Sequence, residues 1–433
     1  MMSNIIFLFG LSALFQILFS IYKYKTFFNP IVYFNVLFFL HNWAFSFGTY
    51  LYPDAYLTWR ADPSVSYDTQ GTVLLINLAS LWAFFLTFIF LSRKKFFVKS
   101  VYDRFRNLTV FPFIYFSLTA LYLGKLYFDG SLSSVYGLGQ ALTSDSSFSP
   151  VLQLLSLRFV FASAYFILNK NLNKKTVTLM FVAEVLISLF VGGRKPLMIM
   201  VLSLLIPYLE SNRISFIRAL KFGGTGLFLI YFLLLTVFFR NTDRDDSFLY
   251  RFYNANSAIA ESSSILTFLV INMASSEGVQ NWTYQLVEEG EMELSYGRSY
   301  AQALLNVVIL RPLQGDISDW QAAYHFKYVA YPDVINQGYD YSFTAESILN
   351  WGWRFSFLSY CFLAVVAAFL QRRKHKNDFW RLMYFALWPI LIIGFRTDST
   401  TILRMFSFYL FIAAIGLIDL KKLKLSFIKK EFK

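Results

Sequence analysis

The sequence predicts an all-α polytopic membrane protein with about eleven transmembrane helices and one large external loop. Three observations predict this. The chain of 433 residues is 57% hydrophobic and only 15% charged, against about 25% charged residues in a soluble chain. Apolar runs of about 14–21 residues recur along it, close to the roughly 20 that a bilayer-crossing helix needs. Finally, 25 of the 39 lysines and arginines fall in alternate connecting segments. The same composition excludes a set of soluble domains, a disordered chain, a collagen-like chain and a coiled coil.

The apolar runs cover residues 4–21, 31–51, 73–91, 110–128, 151–168, 176–191, 196–209, 223–239, 355–370, 379–395 and 402–420. Aromatic residues at their ends suit the membrane interface. Runs 176–191 and 196–209 are short, and form either a tight transmembrane hairpin or a re-entrant pair; the rest of the topology is the same either way. Residues 1–22 lack the basic start and the A-x-A site of a signal peptide, so they are expected as a retained first span. The cation-rich segments belong in the cytoplasm by the positive-inside rule, with the N-terminus outside and the C-terminus inside. The net charge of +13 is therefore a topology signal, with affinity for anionic membrane lipid, and gives no support for nucleic acid binding. A single cysteine, Cys361, excludes intrachain disulfides and cysteine-based metal clusters.

Three regions follow. Residues 1–239 form a membrane domain with spans 1–8. Residues 240–352 form an external domain. Residues 353–433 form a second membrane domain, with spans 9–11 and a basic cytoplasmic tail. The middle region has 113 residues, too many for a connector and enough for a small domain. It holds fourteen acidic and six basic residues. Helical spacing of apolar residues predicts helices over 247–274, 300–310 and 320–329, and a glycine-bounded turn followed by a short helix over 338–352.

The sequence has no C-x-x-C, H-E-x-x-H, G-x-S-x-G or P-loop motif. No cofactor and no metal is expected, and a reaction here must use an already activated substrate. Of the three histidines, His375 belongs to a basic cytoplasmic run and His41 reads as a packing residue within a span. His325, in the external region, is either a surface histidine or a general base.

The informative residues are cations where the positive-inside rule disfavours them. Arg194, Lys195, Arg240, Arg244, Arg251 and Arg396 lead the group, with Lys125, Arg158, Arg311, Arg354 and Arg404 beside them. Singly, each has a carboxylate to pair with, as Arg396 has Asp398. Together they suit a shared anionic ligand, because guanidinium forks match phosphate oxygens in pairs. A phosphate at a membrane face is a lipid phosphate or diphosphate headgroup. The sharpest local signal is Gly192-Gly193-Arg194-Lys195-Pro196, where two glycines allow a tight reversal and Pro196 suits the first turn of the next helix. Glu184 lies roughly 15 Å along a helix from Arg194, too far to pair with it, and Arg158 or Lys125 is the expected partner.

This layout resembles the bacterial O-antigen or oligosaccharide repeat-unit polymerases (Wzy-type). Gly192-Gly193-Arg194 resembles that family's G-[GS]-R element at the outer end of a span. Residues 338–352, with Tyr341-Ser342-Phe343, Glu346 and Asn350-Trp351-Gly352, resemble its aromatic-Ser-Phe, Glu and Asn-x-Gly pattern. The family often has a further glycine where this chain has Phe355. O-antigen ligases share much of the layout, and a lipid-linked oligosaccharide flippase is the rival among transporters.

The resemblance implies a fold like the C-type glycosyltransferases and glycosyl transfer on the outer face of the bacterial inner membrane. The donor is a glycan on undecaprenyl diphosphate, the acceptor is a fresh lipid-linked repeat unit, and a chain-length regulator is a further partner. Arg194, Lys195, Arg240, Arg244, Arg251 and Arg396 would hold the lipid diphosphate. Glu346, Asp340 or His325 would take the acceptor proton. Tyr339, Tyr341 and Trp320 would stack on sugars.

Overall fold

The computed structural model describes residues 2–51, 65–92, 108–128, 155, 157–169, 172–191, 195–211, 250, 253, 254, 257, 265–308, 321–330, 341–395 and 397–417. Among these residues the chain is all-helical. In the first part lie α1 (Met2–Tyr24), α2 (Pro30–Asn42), α3 (Ala44–Leu51), α4 (Tyr67–Leu91), α5 (Val110–Phe128), α6 (Arg158–Leu168), α7 (Lys174–Val191) and α8 (Lys195–Ser211). The middle part holds α9 (Ile265–Glu288), α10 (Arg298–Val308), α11 (Ala322–Ala330) and α12 (Phe343–Phe355). The chain continues through α13 (Leu358–Arg373), α14 (Asp378–Gly394) and α15 (Ser399–Leu417).

Helices α1 and α4 are each long and apolar enough to cross a membrane. A third candidate is the pair α12 and α13, bent by 115° at their junction. Gly352 marks the bend, with φ 65° and ψ −178° inside α12, a left-handed conformation that a side chain would strain. Pro30–Phe39, Val110–Lys125, Arg158–Leu168 and Ser399–Ala414 are shorter apolar helices. Of the middle-region helices, α10 and α11 lie within two residues of their expected positions, and α12 begins inside the expected 338–352 segment and ends three residues beyond it. The helix expected to end at residue 274 instead runs on to Glu288 in α9, because the polar residues beyond 274 are buried by partners elsewhere in the chain.

The expected span over 31–51 is broken at Trp43, between α2 and α3. Polar groups hold the break. Asn42 donates from its amide to the Phe38 carbonyl at 3.0 Å. Trp43 donates from its indole to the Ile6 carbonyl on α1 at 3.1 Å. Glu277 on α9 accepts from the Ser46 N–H in the first turn of α3, at 3.3 Å to each carboxylate oxygen, and from the Ser46 hydroxyl. That carboxylate partners an N–H that a helix start leaves unbonded.

The main apolar core runs through α1, α2, α4, α6, α13, α14 and α15, with Phe34, Phe84, Tyr360 and Trp388 at its centre. Phe34 and Phe84 stack with ring centroids 3.6 Å apart. A second cluster belongs to the middle region and contains Val279, Leu286, Met292, Phe326, Tyr341, Ala345 and Leu349. Helix α9 joins the two, packing on α2, α3 and α4 on one side and on α12 on the other.

Among the described residues, two ion pairs tie the apolar helices together. Arg158 bonds Glu184 at 2.8 Å, both fully buried, so Glu184 does find its partner on another helix. Tyr115 donates to the same carboxylate at 3.1 Å, and the Arg158 guanidinium lies 4.3 Å from the centre of the Tyr122 ring. Lys374 pairs with Glu210, which also accepts from the Tyr384 hydroxyl at 3.0 Å, joining the ends of α8, α13 and α14. Arg158→Ala would leave Glu184 buried without its counter-charge. It should destabilise the protein by about 3–5 kcal/mol, read as a lower melting temperature in detergent. The double change Arg158→Met with Glu184→Leu should recover most of that loss, since neither charge then stays buried.

Candidate functional site

The site is built around one carboxylate. Ser342 caps α12, its hydroxyl accepting from the Ala345 N–H at 3.1 Å, so the next turn points Glu346 toward α10 and α15. Glu346 is 1% exposed. Its Oε1 accepts from the Ser299 hydroxyl at 2.6 Å and the Ser399 hydroxyl at 2.7 Å. Its Oε2 accepts from the Ser399 N–H at 2.6 Å. Ser299 lies in the first turn of α10 and Ser399 opens α15, so the starts of three helices meet on this side chain. Their partial positive charge suits an anion there.

The remaining motif residues serve the same junction. Asn350 donates to Ser299 Oγ at 2.7 Å and to the Glu346 carbonyl at 2.8 Å, and accepts from the Gly297 N–H at 2.9 Å. Ser295 N–H reaches the Leu349 carbonyl at 2.9 Å. Tyr300 hydrogen-bonds Ser347 at 3.1 Å and Ser359 at 2.8 Å across the bend between α12 and α13. Phe355 is exposed, so the position where the family often has glycine makes no close contact that would require one.

Asp398, buried, precedes α15. It accepts from the Thr401 N–H and hydroxyl, each at 3.2 Å, and from the Gln321 amide at 2.7 Å. Burial first, and the Asp398 charge second, push the Glu346 carboxyl above its ordinary range; the hydrogen bonds from Ser299 and Ser399 oppose that shift. His325, half-buried on α11, is shifted the other way: burial lowers its pKa and nearby Glu293 partly offsets this. No hydrogen bond joins it to Glu346, whose partners among the described residues are Ser299 and Ser399.

The other expected site residues divide plainly. Lys195 is exposed at the start of α8. Tyr341, expected to stack on sugar, is 1% exposed, and its ring packs 5.2 Å from that of Phe326. The position alternates with Ser342 and Phe343 at the entry to α12 and falls on the side that the second core covers, so in this structure Tyr341 is a core residue. Arg194, Arg240, Arg244, Arg251, Arg396, Asp340, Tyr339 and Trp320 lie outside the described residues.

Several site residues carried no motif. Ser399 and Asp398 had a usable signal, since Asp-Ser-Thr just before an apolar run is a helix start. Asn42 and Asn77 had another, as amides inside apolar runs. Asn42 Oδ1 accepts from Gln280 on α9 and from Thr344 on α12, both at 2.8 Å, and Asn77 donates to the Asn42 carbonyl at 3.1 Å. Ser299 and Glu277 had none.

An all-helical chain with long apolar helices and a buried carboxylate where helix starts converge defines a membrane protein with a built polar site. The model of the family described as O-antigen polysaccharide polymerase Wzy matches residues 1–430, and the chain belongs to that family. No curated protein and no solved structure matches it.

The Gly192-Gly193-Arg194 element yields a direct test. If Arg194 binds the lipid diphosphate, as the resemblance implies, Arg194→Ala should abolish polymer at normal membrane abundance. Arg194→Lys should recover little, because an ammonium keeps the charge and loses the paired hydrogen bonds. Near-normal polymer from Arg194→Lys, measured by gel ladder length, would show a turn residue instead.

Proposed function

We propose that the protein joins undecaprenyl-diphosphate-linked oligosaccharide repeat units into O-antigen or capsular polysaccharide at the outer face of the plasma membrane. The match to the polymerase family over residues 1–430 carries this reading. In it, residues 1–239 and 353–433 are the membrane domains of an eleven-span protein, and residues 240–352 form the external domain. A chain-length regulator is the partner that sets product size.

The reaction is glycosyl transfer. The acceptor hydroxyl oxygen bonds to the anomeric carbon of the donor glycan, and the bond from that carbon to the diphosphate oxygen breaks. Undecaprenyl diphosphate leaves with the electron pair, and the hydroxyl proton passes to a base. Arg194, Lys195, Arg240, Arg244, Arg251 and Arg396 stabilise the charge that develops on the leaving diphosphate. Tyr339 and Trp320 supply stacking surfaces for sugars.

Of the three expected proton acceptors, Asp340 remains a candidate on sequence grounds, and the described geometry favours His325 over Glu346. A base needs a free lone pair within reach of the proton it takes. Glu346 accepts three hydrogen bonds on its two oxygens, and the lone pair left on Oε2 lies in a side chain only 1% exposed. His325 is only half-buried, and its lowered pKa keeps the imidazole neutral at pH 7.

Two measurements test the reading. Deleting the gene should leave surface acceptor carrying at most one repeat unit, whereas loss of a flippase would remove even that unit. With purified protein, kcat/KM should stay level around neutral pH and fall only below the ordinary imidazole value of 6.5, because a lowered pKa carries the neutral form into more acidic solution. His325→Gln should remove that acidic limb along with most of the rate. An unchanged limb would exclude His325 as the base.

A further inference from the structure

Two buried glutamates of the 240–352 region make the same contact. Glu277 on α9 accepts from the N–H and hydroxyl of Ser46, in the first turn of α3. Glu346 on α12 accepts from the N–H and hydroxyl of Ser399, which opens α15. In each case a carboxylate from the middle region meets a serine at the start of an apolar helix, where N–H groups lack partners and the helix end is partly positive. Asn42 links the two: its Oδ1 accepts from Gln280, three residues after Glu277, and from Thr344, two residues before Glu346.

We propose that Glu277 and Glu346 are paired positioning residues that seat the 240–352 region on the starts of α3 and α15. Glu346 holds Ser399, three residues after Arg396 in the sequence, so on the polymerase reading unseating α15 should weaken diphosphate binding. The ligand's identity rests on the polymerase reading above. Three features support positioning over proton transfer. Glu346 is 1% exposed. Both of its oxygens are engaged. Finally, a carboxylate outside any expected catalytic motif, Glu277, makes the same contact elsewhere in the fold.

The test is binding of undecaprenyl diphosphate to the full-length protein in nanodiscs, followed by tryptophan fluorescence, alongside turnover of lipid-linked repeat units. Glu346→Gln keeps an acceptor for the Ser399 N–H, and its amide can donate to the serine hydroxyls. Its Kd and kcat should stay within about threefold of wild type, since the hydrogen-bonded seat is preserved. Glu346→Ala should weaken Kd by about tenfold or more, the scale of one lost charge-assisted bond. Glu277→Gln and Glu277→Ala should divide in the same sense.

Should the alanine variants fail to fold, Thr344→Val decides. It removes the hydroxyl that ties α12 to Asn42 and also bonds the Tyr360 hydroxyl, and should weaken Kd with Thr344→Ser restoring it; Tyr360→Phe, which removes only the second bond, should leave Kd unchanged. If Glu346→Gln and Glu346→Ala both abolish turnover at unchanged Kd, Glu346 is the base and the proposal falls. Wild-type Kd in both Glu346→Ala and Thr344→Val overturns the proposal alone. Failure of the wild-type protein to bind undecaprenyl diphosphate overturns the polymerase reading and this inference with it.

Discussion

A buried carboxylate needs hydrogen-bond partners for both oxygens, and much of this structure follows from meeting that demand at Glu346. Desolvation of a lone carboxylate costs several kcal/mol even after relaxation. Here the donors are Ser299, the Ser399 hydroxyl and the Ser399 N–H, supplied by the starts of two other helices. Each can reach only if α10, α12 and α15 begin at one point. The bend at Gly352 then becomes necessary, because α12 has to lie across this junction while α13 turns away from it by 115°. Asn350 holds the geometry by bonding both to Ser299 and to the Glu346 carbonyl. The Glu, Asn and Gly of the 338–352 motif therefore serve one arrangement.

The same logic explains the broken second span. An uninterrupted helix over 31–51 would satisfy its own backbone and present only side chains to α9. Breaking at Trp43 exposes the first turn of α3, and Glu277 and Ser46 occupy it. In apolar surroundings such a break is tolerated only where protein groups replace the missing backbone bonds. Asn42, Asn77 and Gln280 form the connected amides of that replacement. The middle region thus meets the apolar helices through hydrogen bonds of defined direction, which fix its orientation more narrowly than greasy contact would.

The helical, membrane-type character of the chain was legible because bilayer-length apolar runs are a property of sequence alone. The long apolar helices could be approached that way, for their apolar character is local; the break at Trp43 could not, since the carboxylate that meets the first turn after it, Glu277, lies more than two hundred residues away. At the site, Glu346, Asn350 and Gly352 were marked by a motif; elsewhere, the rule that intramembrane charges pair narrowed the partner of Glu184 to Arg158 or Lys125, and the structure has Arg158. Ser299 and Glu277 were not legible. Serine is common and a loop glutamate is expected to be solvated, so only three-dimensional proximity distinguishes them. Tyr341 shows the converse failure: an aromatic in a polar region suggested sugar stacking, while the fold uses it as core against Phe326.

A site for a diphosphate has to reconcile two acidic residues with an anionic ligand. Glu346 and Asp398 would repel a diphosphate if their oxygens faced it. The described geometry turns them inward. Asp398 directs one oxygen to Thr401 and the other to Gln321, and Glu346 directs both to serine donors. Their charge is thereby matched locally by helix starts and hydroxyls, whose dipoles oppose the field beyond the junction. The arginines of the polymerase reading are then left as the charges that a ligand meets. On that reading the roles divide: the described carboxylates hold the helices in register, and the cations are the groups proposed to hold the substrate. A glutamate that instead turned outward to take a proton would have to surrender the bonds that place α15, so a separate group for proton transfer, such as His325, is the arrangement that keeps the frame intact while the chemistry proceeds.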